Sequence, residues 1–184
     1  MKKYFITSPD YLTNDEKVFE KNLRVAISSY LPDFILFRDK RTDRYSDLAQ
    51  KFVQVCMEFE NIRYFIHQDI ELAHNLKASG VHLNSTQFDE IIYAKSLGLE
   101  VIISTHSLNE VLKAQNLGCN YVTYSPIFKT PNKGEPKGVG DLKSVLDKCN
   151  IKIFALGGII GEHHIKQIKD TKAYGFASIR YFFR

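Results

Sequence analysis

Tyr4-Phe5-Ile6-Thr7-Ser8-Pro9-Asp10-Tyr11 reads as a short buried strand that runs straight into a turn. Its apolar half carries the aromatic and branched side chains of a strand covered on both faces. Its turn holds no glycine. An open doubly wound sheet more often has a glycine-rich turn after its first strand, where the backbone must approach a phosphate. The stretch therefore favours a closed barrel over that sheet, provided the rest of the chain repeats the unit.

The rest of the chain does repeat it. Further strand-like runs are Phe34–Phe37, Arg63–His67, Gly80–Leu83, Glu100–Ser104, Tyr121–Tyr124, Lys152–Leu156 and Gly175–Ile179. Amphipathic stretches lie between them. Thr13-Asn14-Asp15-Glu16 can cap a helix that runs to about Tyr30. Ser46–Glu58 sets Leu48, Phe52, Val55 and Cys56 on one face. Leu72–Lys77, Gln87–Ser96, Leu108–Asn116, Asp141–Asp147 and Glu162–Asp170 follow, with Ser79-Gly80, Leu97-Gly98 and Leu117-Gly118 as helix stops. Strict alternation of this kind is an α/β pattern with a parallel sheet. The expectation is one TIM (β/α)8 barrel domain over residues 1–184, with functional groups at the C-terminal strand ends.

The last unit is short. Ile179-Arg180-Tyr181-Phe182-Phe183-Arg184 leaves room for about one helical turn, so a truncated final helix is expected. A flank left uncovered would expose apolar surface and mark an interaction site, such as a homodimer contact. Alternatively, these aromatics pack over the gap.

Composition narrows the function classes. The chain has 184 residues, 44% hydrophobic and 25% charged, an ordinary globular balance. A formal net charge of +4 is too weak to argue for nucleic acid, although a basic pocket would account for part of it. The cysteines Cys56, Cys119 and Cys149 form no CxxC pair, which speaks against zinc or a disulfide framework and for a reduced, cytoplasmic setting. No signal-like leader and no apolar run long enough for a membrane span is present.

Chemistry-bearing residues gather just after the strands. Arg38 and Lys40 follow the second strand as alternate residues that can point to one side. His67, Gln68 and Asp69 follow the third, Asn84 and Ser85 the fourth, and Ser104, Thr105 and His106 the fifth. A loop of 14 residues, Ser125–Gly138, follows the sixth and carries Lys129, Thr130, Lys133 and Lys137. Such a length is lid-like, and Gly134, Gly138 and Gly140 could hinge it. Gly157-Gly158 follows the seventh strand and Arg180 the eighth. A diglycine lets backbone amides approach a phosphate, the next helix adds its positive end, and Arg180 would complete an anion pocket. His106 is a candidate acid/base, a ligand donor or a helix cap, and His67 is similar. His82, inside its strand, reads as buried and structural, and His163-His164 as surface residues. No histidine pair at helical spacing with supporting carboxylates makes a metal site.

These strand ends resemble the thiamine phosphate synthase/TenI family along nearly the whole chain. Gly80-Val81-His82-Leu83 resembles its G-V-H-L strand, and Ile103-Ser104-Thr105-His106-Ser107 with Glu110 its S-x-H-S/T-x-x-E segment. Asn120-Tyr121-Val122 and Ser125-Pro126-Ile127-Phe128-Lys129-Thr130, with Lys133, resemble D-Y-V, G-P-I-F-x-T and the T-x-T-K stretch. Ala155-Leu156-Gly157-Gly158-Ile159 is similar to A-I-G-G-I. The order and spacing of these pieces carry the resemblance.

The resemblance implies a small phosphorylated thiazole or pyrimidine metabolite as ligand, and neither nucleic acid nor membrane as partner. It implies pyrophosphate on Arg38, Lys40 and Lys133 with Ser104 and Thr130 nearby, and thiazole phosphate at Gly157-Gly158. In the synthase, hydroxymethylpyrimidine diphosphate loses pyrophosphate and the thiazole nitrogen attacks the resulting cation, usually with magnesium held by carboxylates.

This sequence departs from that pattern. The glutamine of Q-x-R-x-K is Leu36, the N-D pair reads His67-Gln68, and the metal-binding aspartate falls at Gln87. The second threonine of T-x-T-K is Asn132, and the strand-eight serine aligns with Arg180. An amide carries no charge and is a poor magnesium ligand. These departures fit the TenI branch, which needs no metal and in some members tautomerises the thiazole. Its loop histidine falls near Pro126, so His106 or His67 would serve as acid/base. The expectation is therefore a thiazole phosphate-binding TenI-like enzyme with no cofactor. The alternatives are a divergent synthase using magnesium on Asp69 or Asp89, and a non-catalytic binding protein.

Overall fold

The computed structural model describes residues 1–13, 15–131 and 133–183. Asn14 of the helix cap, Asn132 of the T-x-T-K stretch and the terminal Arg184 lie outside the described residues.

Eight parallel strands close into a barrel: β1 (Lys2–Ile6), β2 (Phe34–Phe37), β3 (Arg63–His67), β4 (Gly80–Leu83), β5 (Glu100–Thr105), β6 (Tyr121–Tyr124), β7 (Lys152–Leu156) and β8 (Gly175–Ser178). Each pairs with the next, and β8 closes on β1 with Tyr4 opposite Ala177. The helices that alternate with them are α1 (Glu16–Tyr30), α2 (Tyr45–Cys56), α3 (Ile70–Asn75), α4 (Ile91–Ser96), α5 (Leu108–Asn116), α6 (Gly138–Leu146) and α7 (Glu162–Lys169). The expected (β/α)8 barrel is the architecture found.

Helix boundaries follow local chemistry. The Asp15 carboxylate accepts the Val18 amide at 3.0 Å and starts α1. Asp69 accepts the Leu72 amide at 2.9 Å, which starts α3 at Ile70, two residues before the expected position. The helix expected from Gln87 opens as a 3-10 turn, Phe88–Glu90, before α4. Gly98 and Gly118 follow α4 and α5 with positive φ, as helix stops do. Gly80 does not act as one. It opens β4, and Lys77 takes the left-handed position instead.

Alternation along the strands divides the core in two. Tyr4, Ile6, Phe34, Leu36, Phe65, Ile102, Tyr121, Phe154 and Ala177 point inward. Phe5, Ile35, Phe37 and Ile66 point outward against the helices. The Tyr4 ring lies 5.9 Å from Phe34 and 5.1 Å from Phe154, so aromatic rings fill the lower barrel and leave no pore. A Cβ on Gly80 would collide with the Glu100 backbone carbonyl and sit 2.8 Å from the Phe65 ring, so this strand start stays bare. Free space is left at the C-terminal mouth.

After β8 the chain makes one 3-10 turn, Arg180–Phe183, in place of a helix. Phe182 is 1% exposed and stacks on Phe5 at 4.8 Å. Phe183 stacks on Tyr11 at 4.6 Å. The tail's aromatics thus pack over the flank, as in the second of the two readings, while Tyr11 and Val25 beside them stay exposed. Among the described residues no helix is long and apolar enough to cross a membrane.

Candidate functional site

The barrel mouth holds a cavity of about 380 Å³ lined from all eight strand ends. β1 contributes Ile6 and β2 contributes Leu36, Arg38 and Lys40. The Arg38 amide donates to Thr7 Oγ1 at 2.9 Å, which ties the end of β2 to β1. Asp39 then turns the chain by accepting the Arg41 and Thr42 amides at 2.8 and 3.2 Å. Arg38 and Lys40 are left on the cavity side, as their spacing implies. Burial lowers the Arg38 pKa. Lys40 is lowered by Arg38 first, then by burial and Lys133, because these cations crowd one another. Asp39 offsets part of the charge on Arg38, but among the described residues none of the three cations makes an ion pair, and such crowding is what an anion would relieve.

His67, Ser104 and His106 come from β3, β5 and the turn after β5. Tyr45 Oη accepts the His67 amide at 3.2 Å and lies 3.2 and 3.3 Å from the carbonyls of His67 and Phe37, which clamps the ends of β2 and β3 together. Burial, with Arg38 and Lys40 adding to it, pushes the His67 pKa down to about 3, so its ring is neutral at ordinary pH. His106 is held differently. Ser107 caps α5 by accepting the Glu110 amide at 3.2 Å, and Glu110 accepts the His106 amide in return. This reciprocal cap is what the S-x-H-S-x-x-E segment builds. His106 Nδ1 lies 3.0 Å from the Ser125 carbonyl. A carbonyl only accepts, so this contact selects the tautomer with the proton on Nδ1 over the one in which Ser125 Oγ, 3.3 Å away, would donate to it, and that tautomer leaves the lone pair on Nε2.

The loop after β6 supplies Ser125, Pro126, Thr130 and Lys133. Its base is fixed to β7. The Ile127 amide donates to Leu156 O at 2.9 Å, and the Phe128 amide to Gly157 O at 3.0 Å. α6 begins at Gly138, which takes a left-handed φ of 79°, and includes Gly140, so of the glycines expected as hinges Gly140 lies within the helix. Of the loop lysines, Lys137 lies over the Tyr124 ring at 5.4 Å, and Lys129 lines an outer basin with Arg180. Neither faces the central cavity.

Gly157 lines this cavity, whereas Gly158 and Arg180 line a second hollow of about 360 Å³ with Ser8, Asp10 and Tyr11. The two hollows adjoin, sharing Thr130, Leu156, Gly157 and Ile179. Gly157 and Gly158 have φ of 104° and 69°. A Cβ on Gly157 would meet Pro126 at 2.8 Å, and one on Gly158 would meet the Lys129 carbonyl oxygen at 2.7 Å. Both positions therefore require glycine, for conformation and for space. Among the described residues their amides donate to no backbone carbonyl, so both are free for a ligand.

Sequence reasoning missed two parts of the site. The first is the apolar wall of Ile6, Leu36, Leu156 and Ile179, which faces the histidines and serines. Its signal was inward alternation at the C-terminal ends of the strands. The second is His82, which is 3% exposed yet reaches the cavity, with Nδ1 2.8 Å from Tyr4 Oη and Nε2 3.0 Å from Ser104 Oγ. A wider groove of about 720 Å³ opens beside His67 and Lys40, lined also by Asp39, Asp69, Glu71 and Glu90.

A magnesium site does not fit the residues present. Gln87 Oε1 accepts the Asn84 amide at 3.0 Å, and its Nε2 donates to Gln68 O at 3.2 Å, so the side chain is committed to the fold. Asp69 caps α3. The Asp89 side chain is 98% exposed, 3.9 Å from Lys113. Among the described residues no group of three or more His, Cys, Asp or Glu converges on a point.

A family model described as thiamine monophosphate synthase matches residues 3–182. A putative thiamine-phosphate synthase 2 of Aquifex aeolicus is 31% identical over 98% of this chain and 92% of its own. A thiamine-phosphate synthase of Clostridium acetobutylicum is 27% identical over 92% of this chain and 84% of its own. The solved structure of a thiamine phosphate pyrophosphorylase from Pyrococcus furiosus superposes with a TM-score of 0.79 at 23% identity, over 97% of this chain and 85% of that one.

Proposed function

The chain belongs to the thiamine monophosphate synthase family, and on that premise we propose that it is an enzyme binding a thiazole phosphate and moving a proton on it without a metal. The phosphate sits in the hollow of Gly157, Gly158 and Arg180, where free amides and a guanidinium meet. The ring sits in the central cavity, one face on Ile6, Leu36, Leu156 and Ile179. A ring carboxylate faces Arg38, Lys40 and Lys133, and Ser104 and Thr130 supply hydroxyls nearby.

The observation that carries this reading is the hydrogen bond from His106 Nδ1 to Ser125 O. It leaves Nε2 as a base beside the cavity. His106 takes a proton from one carbon of the thiazole system, the double bond shifts, and the imidazolium, whose N–H can exchange with solvent, returns a proton at the other carbon, so no net atom or electron is gained. The nearby cations stabilise the charge that develops between the two transfers. His67, with a pKa near 3, is too weak a base for this step and serves as a neutral hydrogen-bonding group.

The test is double-bond migration and deuterium exchange in thiazole carboxylate phosphate, followed by proton NMR. Exchange is expected in the unaltered protein, with a loss of about 100-fold in His106→Ala and little change in phosphate binding. Equal activity in His106→Ala would overturn the assignment, and binding without turnover would indicate a binding protein. The crowding of Arg38, Lys40 and Lys133 favours a second reading, a divergent synthase that uses these cations on pyrophosphate. Calorimetry with pyrophosphate, with and without magnesium, separates the two. A metal-dependent response supports the synthase.

A further inference from the structure

Ser104 is one end of a three-group chain that runs down the barrel axis: Ser104 Oγ, the His82 ring and Tyr4 Oη. Tyr4 is fully buried and His82 is 3% exposed, while Ser104 is half-buried at the cavity. We infer that Tyr4 and His82 are positioning residues that hold the Ser104 hydroxyl as a hydrogen-bond donor to an anionic oxygen in the cavity. The inference rests on the reading of the cavity as an anion site, and adds what sets the polarity of one of its groups.

The argument is a count of protons. His82 is kept neutral by burial, and His67 and Arg38 beside it oppose a positive charge further. A neutral imidazole has one N–H and one lone pair. With the proton on Nδ1, the ring would donate to Tyr4 and accept from Ser104. The Tyr4 hydroxyl would then be left without an acceptor, because among the described residues His82 Nδ1 is its one partner. An orphaned donor at full burial disfavours that state by roughly ten-fold or more. With the proton on Nε2, Tyr4 donates to Nδ1 and Nε2 donates to Ser104 Oγ. The one hydrogen left over is that of Ser104, at the cavity, where a ligand oxygen can accept it. Burial is thus the reason the chain runs outward: the deepest group must donate first, and the group at the mouth inherits the free donor.

Long-range proton–nitrogen NMR of protein labelled at histidine reads the tautomer directly, without any ligand. The expected result is a proton on Nε2 of His82; a proton on Nδ1 overturns the inference. Calorimetry with inorganic pyrophosphate then tests the consequence. Ser104→Ala should weaken binding by about ten-fold. Tyr4→Phe, which removes one oxygen and keeps the ring, should weaken it by less. It should add nothing when Ser104 is already alanine, since both changes remove the same donor. Full additivity, or Tyr4→Phe at wild-type affinity, counts against the relay. Should Tyr4→Phe fail to fold, the tautomer in the unaltered chain decides alone. Absence of pyrophosphate binding in the unaltered protein refutes the anion site instead, so the two failures are separate.

Discussion

His67 and His106 both line the cavity, but their surroundings give them different chemistry. Burial and two cations hold His67 at a pKa of about 3, against an ordinary value of 6.5. On unfolding, His67 regains its ordinary basicity, so between about pH 3 and pH 6.5 the unfolded chain binds one more proton than the folded one. Stability therefore rises with pH through that window and is lost as pH falls through it. His82, lowered by the same causes, adds to the slope. Urea unfolding of His67→Gln between about pH 4 and pH 6 should show a slope smaller by about 1.4 kcal/mol per pH unit. An unchanged slope would mean that the folded state already protonates His67. At this scale the sequence disclosed which residues follow the strands, but not how deep they lie. His82 was read as structural because it sits inside its strand. That it also reaches the cavity depends on how β4 and β5 align, with Leu83 opposite Ile103, which no local pattern encodes.

The elements that carry the site are the ends of β7 and β8 and the loop after β6. The diglycine was legible as a place where backbone meets phosphate. Its second duty was not: the loop from Pro126 to Lys129 rests on the Cα atoms of Gly157 and Gly158. That contact joins two successive βα units and exists only once β6 and β7 have paired. The same distance in sequence explains why Lys129 and Lys137 were counted at the rim, although the loop's path turns both away from the cavity. Gly157→Ala places a side chain at φ 104° and 2.8 Å from Pro126. It should cost about 1–3 kcal/mol in chemical denaturation and displace the loop enough to weaken phosphate binding. A variant with full stability and affinity would show that the loop is not seated on this glycine.

For the molecule as a whole, alternation of short apolar runs with amphipathic stretches was enough to identify the barrel. Each strand is buried on both faces and each helix on one, and that pattern is local. Two global features were not available from it. One is the flank after β8, where Phe182 and Phe183 stack on Phe5 and Tyr11 across nearly the full chain length. The other is the division of the mouth into two adjoining hollows, which separates Gly158 and Arg180 from Arg38 and Lys40, with Lys133 bordering an outer basin beside Gly158 and Arg180 as well. That division is the central physical claim, because it gives a ligand with an anionic group at each end one orientation. A crystal structure with thiazole carboxylate phosphate bound tests it most directly. The phosphate should lie on the amides of Gly157 and Gly158 beside Arg180, with the carboxylate towards Arg38, Lys40 and Lys133 and the ring within reach of His106. A phosphate seated on Arg38 and Lys40, with the glycine hollow empty, would contradict the account.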